Sequence, residues 1–148
     1  MDIDRLYTRD VVAVPQSTTL KAAAETMHER HVGCLLVTDD TPLGDCVVGI
    51  VTDRDVVVQA VANGADPAET TLAEVMTPGI ARIAHDVDAH QALAKMAALG
   101  VRRLAVTGPN RTIVGVLSFD DLLDGLAVEL SDLARIIRRE RTREAQPA

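Results

Sequence analysis

Short apolar runs bounded by turn-forming residues alternate along this chain with stretches in which apolar positions recur at helical spacing. Val11 to Val14 is such a run, ended by Pro15, and predicts a strand. Ser17 or Thr18 then caps a helix whose Leu20, Ala23, Ala24 and Met27 share a face, and Gly33 closes it. Cys34 to Val37 and Val47 to Val51 read as two more strands. Thr52 opens a second helix through Val56, Val57 and Ala60, which Asn63-Gly64 stops. The predicted order is β-α-β-β-α.

The pattern then returns. A displacement of 69 residues carries Val14 to Ile83, Met27 to Met96 and Val37 to Val106, and at Gly49 the displacement to Gly115 falls to 66. The first copy therefore holds three extra residues, which fit the polar turn from Asp39 to Asp45. The second copy predicts a strand at Ile80 to Ile83, a helix from Asp88 to Leu99, and strands at Leu104 to Val106 and Ile113 to Leu117. Its last helix runs on, with Leu122, Leu126, Leu130, Leu133 and Ile137 drawing an apolar stripe. These boundaries give a first unit over 1–64, a linker over 65–74 with a short helix at Leu72 to Val75, a second unit over 75–125, and a C-terminal helix with a basic tail over 126–148. A unit of about sixty residues buries only ~60% of its unfolded surface. That favours two pseudo-symmetric units packed into one α+β module.

The two copies share a stretch with chemical content. Gly49-Ile50-Val51-Thr52-Asp53-Arg54-Asp55 matches Gly115-Val116-Leu117-Ser118-Phe119-Asp120-Asp121: glycine, two apolar residues, a hydroxyl, two variable residues and an aspartate. Thr52-x-x-Asp55 and Ser118-x-x-Asp121 both fit capping boxes, in which hydroxyl and carboxylate satisfy the first helical N–H groups. Such a corner also favours an anion at the helix N-terminus and offers a carboxylate to ribose hydroxyls. Arg54 in the first copy is replaced by Asp120 in the second, so the first corner is expected to be the better phosphate site.

The duplicated unit, the paired Gly49 and Gly115 motifs, Val75-Met76-Thr77-Pro78 and Gly100-Val101-Arg102-Arg103-Leu104 together resemble a tandem pair of CBS domains (a Bateman module), of the free-standing bacterial type. The resemblance covers about residues 6 to 125. It implies a regulatory module that binds AMP, ADP or ATP, or a relative such as S-adenosylmethionine or NAD, in clefts between the repeats. It implies Asp55 and Asp121 as ribose ligands, Thr52 and Ser118 on the phosphate side, and Arg54, Arg102 and Arg103 as phosphate donors. Val11, Val32, Ile80 and Val101 would wall the base pocket. The first copy departs from the pattern where Leu6-Tyr7-Thr8-Arg9 replaces Val75-Met76-Thr77-Pro78.

Composition narrows the partners. The 148 residues include no Trp, one Phe and one Tyr, and carry a net charge of −7, which argues against a nucleic-acid binder despite the arginines of the tail. No secretory signal pattern and no membrane-length apolar run is present, so a cytoplasmic protein with reduced Cys34 and Cys46 is expected. His28, His31 and Cys34 have a spacing that suggests a metal site, but no second cluster completes a ligand set, and no metal is expected. No nucleophile and base pair points to an enzyme. The exposed stripe calls for a partner, and a homodimer is the economical case, with an unidentified protein as the other. The alternative function is a structural or interaction module with empty clefts that works through its C-terminal helix.

Overall fold

In the computed structural model, which describes residues 1–40 and 46–145, the chain is α+β and divides into two compact units. One comprises Asp10–Ala81; the other comprises Met1–Arg9 with Arg82–Ala148. The polar turn expected to carry the three-residue insertion lies, at residues 41–45, outside the described residues.

The Asp10–Ala81 unit contains β1 (Ala13–Pro15), α1 (Leu20–Arg30), β2 (Cys34–Thr38), β3 (Val47–Thr52), α2 (Asp53–Val57) continued by a π-helical turn (Val58–Ala62), α3 (Leu72–Val75) and β4 (Thr77–Pro78). Its sheet runs β1-β2-β3-β4, with β1 parallel to β2 and the other pairs antiparallel. Leu20, Ala23 and Met27 of α1 pack with Leu35, Val37, Val51 and Leu72 as the core.

Four details differ from expectation. The first strand starts at Ala13 rather than Val11 and includes Pro15 rather than ending before it, because its pairing with β2 runs from Ala13↔Leu36 to Pro15↔Thr38. The helix cap is Thr19, whose side chain accepts from the Ala22 N–H at 3.2 Å, because Ser17 and Thr18 fall in the turn before it. The left-handed residue ending α1 is His31, at φ 54°, not Gly33. Ala24 and Val57 face solvent, since each sits one residue, or about 100° of helix, past a core-facing neighbour.

The other unit has β5 (Arg82–Ala84), α4 (Ala89–Leu99), β6 (Arg103–Thr107), β7 (Ile113–Ser118) and α5 (Phe119–Glu144). The strand expected at Ile80 begins instead at Arg82, where pairing with Ala105 starts. Asp88 caps α4 in a full capping box with Gln91, and Gly100, 69 residues after His31, supplies the left-handed residue. The buried set repeats the first: Ala92, Met96, Leu104, Val106 and Leu117 stand where Ala23, Met27, Leu35, Val37 and Val51 do.

The segment preceding each repeat packs with the other repeat. Leu72, in the expected linker, is fully buried in the Asp10–Ala81 core, and its counterpart Ile3 is fully buried in the other unit. Thr77 and Pro78 pair with Ile50 and Gly49. Thr8 makes the equivalent exchange with Val116, with both backbone hydrogen bonds at 3.0 Å. This accounts for the first glycine of each motif. A methyl on Gly49 would lie 2.7 Å from Met76 Sδ and 2.7 Å from the Thr77 carbonyl, and one on Gly115 would strike the Tyr7 ring and the Thr8 carbonyl. Tyr7 does in one unit what Met76 does in the other, so the departure of the Leu6 to Arg9 stretch preserves the packing role.

Candidate functional site

Each motif ends a strand and begins a helix in one step. β3 stops at Thr52, whose extended backbone leaves its side chain over the open N–H groups of α2. The Asp55 N–H donates to Thr52 Oγ1 at 3.2 Å, and Asp55 Oδ2 accepts from both the Thr52 N–H at 2.8 Å and the Thr52 hydroxyl at 2.9 Å. Ser118 and Asp121 reproduce this at the start of α5, with distances of 3.1, 2.8 and 2.7 Å. Both boxes therefore form, and each uses a single carboxylate oxygen. Among the described residues, Oδ1 of Asp55 and Oδ1 of Asp121 accept no hydrogen bond, so each has its lone pairs unused.

A second loop borders each corner. The Asp53 N–H donates to the Gly33 carbonyl at 3.0 Å, and the Phe119 N–H donates to the Arg102 carbonyl at 2.8 Å. Val32 and Val101, both half-buried, precede these loop residues, and their N–H groups close α1 and α4 on Met27 and Met96. The antiparallel registers Cys34↔Thr52 and Arg103↔Ser118 bring the start of the second strand to the same end of the sheet. The parallel register Ala13↔Leu36 brings half-buried Val11, just ahead of β1, toward that end as well. Ile80 is half-buried in the segment ahead of β5.

The arginines differ. Arg54 is exposed, and its side chain has no hydrogen-bond or ion-pair partner among the described residues. Arg102 reaches Asp120 Oδ1 at 3.3 Å and lies 5.5 Å from the Phe119 ring centroid. Sequence reasoning set Arg54 against Asp120 but missed this pair. The displacement of 69 carried the signal, since it aligns Arg102 with Gly33 and so shows that the second corner has a cation the first lacks. With both side chains more than 70% exposed, the pair adds about 0–1 kcal/mol and opens easily. Arg103 is half-buried on β6, directly opposite Ser118.

A second polar cluster lies in the Met1–Arg9 segment. Arg9 donates to Asp4 Oδ1 at 3.0 Å, to the Asp4 carbonyl at 2.6 Å and to the Tyr7 hydroxyl at 2.7 Å, with its guanidinium 4.5 Å from the Tyr7 ring centroid. The hydrogen bond from Arg9 holds the Asp4 carboxyl below its usual range, and the bond to Asp4 raises the guanidinium. This cluster anchors Tyr7 against Gly115.

Among the described residues, no group of three or more His, Cys, Asp and Glu is placed to hold a metal ion, and no helix is long and apolar enough to cross a membrane. Concave surface along α5 is lined by Arg135, Arg138, Arg139, Thr142 and Arg143, all on one helix, and makes a groove on a rod rather than a cavity.

Comparison with known proteins agrees with the repeat. A family model for the CBS domain matches residues 2–61 and 72–128. Hypoxic response protein 1 of Mycobacterium tuberculosis is 32% identical over 112 residues, which span 76% of this chain and 76% of that protein. Other curated relatives are longer: the chain spans 61% of an uncharacterized Methanopyrus kandleri protein and 20% of a CBS domain-containing protein of Arabidopsis thaliana.

Among solved structures, Hypoxic Response Protein I with two coordinated zinc ions superposes with a TM-score of 0.66 at 28% identity, covering 84% of this chain and 98% of that one. The cytosolic domain of the Mg2+ channel MgtE in complex with ATP gives 0.63 at 26% identity, covering 80% and 46%. A hexameric CBS-CP12 protein from bloom-forming cyanobacteria gives 0.72 at 26% identity, covering 83% and 69%.

Proposed function

We propose that this chain, which belongs to the CBS-domain family as a tandem pair, is a non-catalytic regulatory module that senses AMP, ADP, ATP or a related adenosyl ligand. The observation that carries this reading is the half-used carboxylate. Asp55 and Asp121 each spend one oxygen on the helix cap and hold the other at a half-buried corner, at the positive end of a helix. A ribose hydroxyl can donate to that oxygen without undoing the cap. Thr52 and Ser118 stand on the phosphate side, Arg54 and Arg103 supply cations that have no ion-pair partner among the described residues, and Arg102 joins them once Asp120 lets go. Val11, Val32, Ile80 and Val101 are the apolar positions offered to the base. The ATP complex of a structural neighbour supports an adenine nucleotide. In this reading the protein works in the cytoplasm as a homodimer, and occupancy biases its geometry through unequal affinity for two arrangements.

The test is a thermal-shift series with AMP, ADP, ATP, NAD and S-adenosylmethionine on the wild type and on Asp55→Asn and Asp121→Asn. A charge-assisted hydrogen bond contributes about 1.5–3 kcal/mol, so loss of Asp55 raises Kd by about 10–150-fold. Arg54 makes the Asp55 corner the stronger, and equal losses from the two substitutions would refute that ordering. No shift with any of the five adenosyl ligands would refute sensing itself. The exposed apolar face of α5 favours the second reading, an interaction module that needs no ligand.

A further inference from the structure

We infer that α5 pairs antiparallel with α5 of a second copy of this chain. The inference deepens the homodimer reading above and does not depend on nucleotide binding. Phe119, Leu123, Leu126, Leu130, Leu133 and Ile137 follow one another at intervals of four, three, four, three and four, the spacing of a coiled-coil seam. The seam is uncovered: Leu123 is 54% exposed, Leu130 66%, Leu133 58% and Ile137 52%. Leu122 is buried and Gly125 sits against Leu6, so the helix meets its own unit on a neighbouring face and leaves the seam free. At 1.5 Å per residue the seam is about 27 Å long, enough for a specific helix pair.

Charge on the same helix selects the occupant and its direction. The first half carries only acids, Asp120, Asp121, Asp124, Glu129 and Asp132, and the second half five arginines, Arg135, Arg138, Arg139, Arg141 and Arg143, against Glu140 and Glu144. A parallel pair would set acid beside acid and arginine beside arginine along its length. An antiparallel pair with Leu130 beside Leu133 of the other copy sets Leu126 opposite Ile137, Asp124 opposite Arg138 and Arg139, and Asp120 opposite Arg143. Over Leu126 to Ile137, about 17 Å, one surface then meets itself with apolar residues against apolar and acids against arginines, as a two-fold interface requires, while Leu123 falls opposite Glu140.

The test uses the full-length chain. Light scattering after size exclusion should give twice the 15.8 kDa chain mass, and Leu130→Glu with Leu133→Glu should raise the dimer Kd at least a hundredfold. Both positions are exposed, so circular dichroism should be unchanged and a misfolded variant is distinguishable. Orientation is read by disulfide trapping in a Cys46→Ser background. Leu126→Cys and Ile137→Cys proteins should cross-link when mixed and not when alone.

Self-cross-linking of either alone, or a dimer that survives the double substitution, overturns the pairing but leaves a homodimer standing. A monomer at all concentrations overturns both. Among monomers, co-sedimentation with phosphatidylglycerol vesicles assigns the face to an anionic membrane.

Discussion

Substituting Gly115 by alanine tests the most specific packing statement made by the fold. The added methyl would overlap Tyr7 at Cδ2, lie 2.6 Å from Tyr7 Cε2 and lie 2.6 Å from the Thr8 carbonyl oxygen. Real Cβ atoms essentially never come closer than 3.0 Å to such neighbours, so something must move. The Tyr7 ring is buried and its hydroxyl is held by Arg9, which prevents an easy swing. The Thr8 carbonyl is backbone, and moving it breaks the reciprocal pair with Val116. Overpacking costs about 1–3 kcal/mol. Two strained or lost backbone hydrogen bonds add about 1 kcal/mol each. With an m-value of about 2 kcal/mol/M, a loss of about 3–5 kcal/mol lowers the urea midpoint by about 1.5–2.5 M. Gly49→Ala should cost less, because Met76 is a flexible thioether and only the Thr77 carbonyl is rigid. Adding Tyr7→Ala to Gly115→Ala should not restore the midpoint of Tyr7→Ala alone, because the Thr8 carbonyl still clashes. A Gly115→Ala midpoint within 0.3 M of wild type, on the order of 0.5 kcal/mol, would refute the reasoning, as would a larger loss at Gly49.

Thr19→Ala removes the cap of α1 and should cost about 1 kcal/mol by urea denaturation, whereas Thr18→Ala should be near neutral. Arg9→Ala should raise the Asp4 pKa, followed by carboxyl NMR titration. Because that pKa is depressed in the folded state, its contribution is present above the unfolded value and fades as pH falls through the folded one, so wild type and variant should converge in stability at acid pH. Asp120→Ala should free Arg102 and tighten nucleotide binding at the Ser118–Asp121 corner, read by calorimetry. Unchanged affinity would mean that the Arg102–Asp120 pair is not what limits this corner. Zinc titrated into metal-free protein should bind weakly and without a fixed stoichiometry. One tight zinc per chain, lost in His31→Ala, would bring this protein close to its zinc-bound neighbour.

The fold was legible where pattern and chemistry coincide. Strand and helix order follow from apolar runs and helical spacing, and both capping boxes form as the Thr52 and Ser118 motifs predict. What stayed hidden depends on long-range contact. Leu72 reads as a residue in a linker, because nothing local marks it as the plug of the Asp10–Ala81 core. Gly33 looks like a helix terminator because glycine tolerates left-handed backbone, yet His31 takes that conformation two residues earlier. The repeat itself held the correction, since Gly100 aligns with His31 and Ile3 with Leu72 at the same displacement.

The candidate site shows the same division at finer scale. A sequence can place an aspartate three residues after a hydroxyl, but it cannot say how the two carboxylate oxygens are spent. If both had capped the helix, Asp55 would be structural and a ribose would have to displace it. Since both cap donors converge on Oδ2, the cap leaves the lone pairs of Oδ1 unused and fixes its orientation, so the ribose contact proposed above would not compete with the cap. Stability and recognition then separate by substitution. Asp55→Asn keeps an oxygen for the cap and should lose about 1 kcal/mol of stability or less, while losing the charge on which ribose binding depends. Thr52→Val removes the hydroxyl that orients the carboxylate and should weaken both. Asp55→Asn with normal nucleotide affinity would make the motif a helix cap alone.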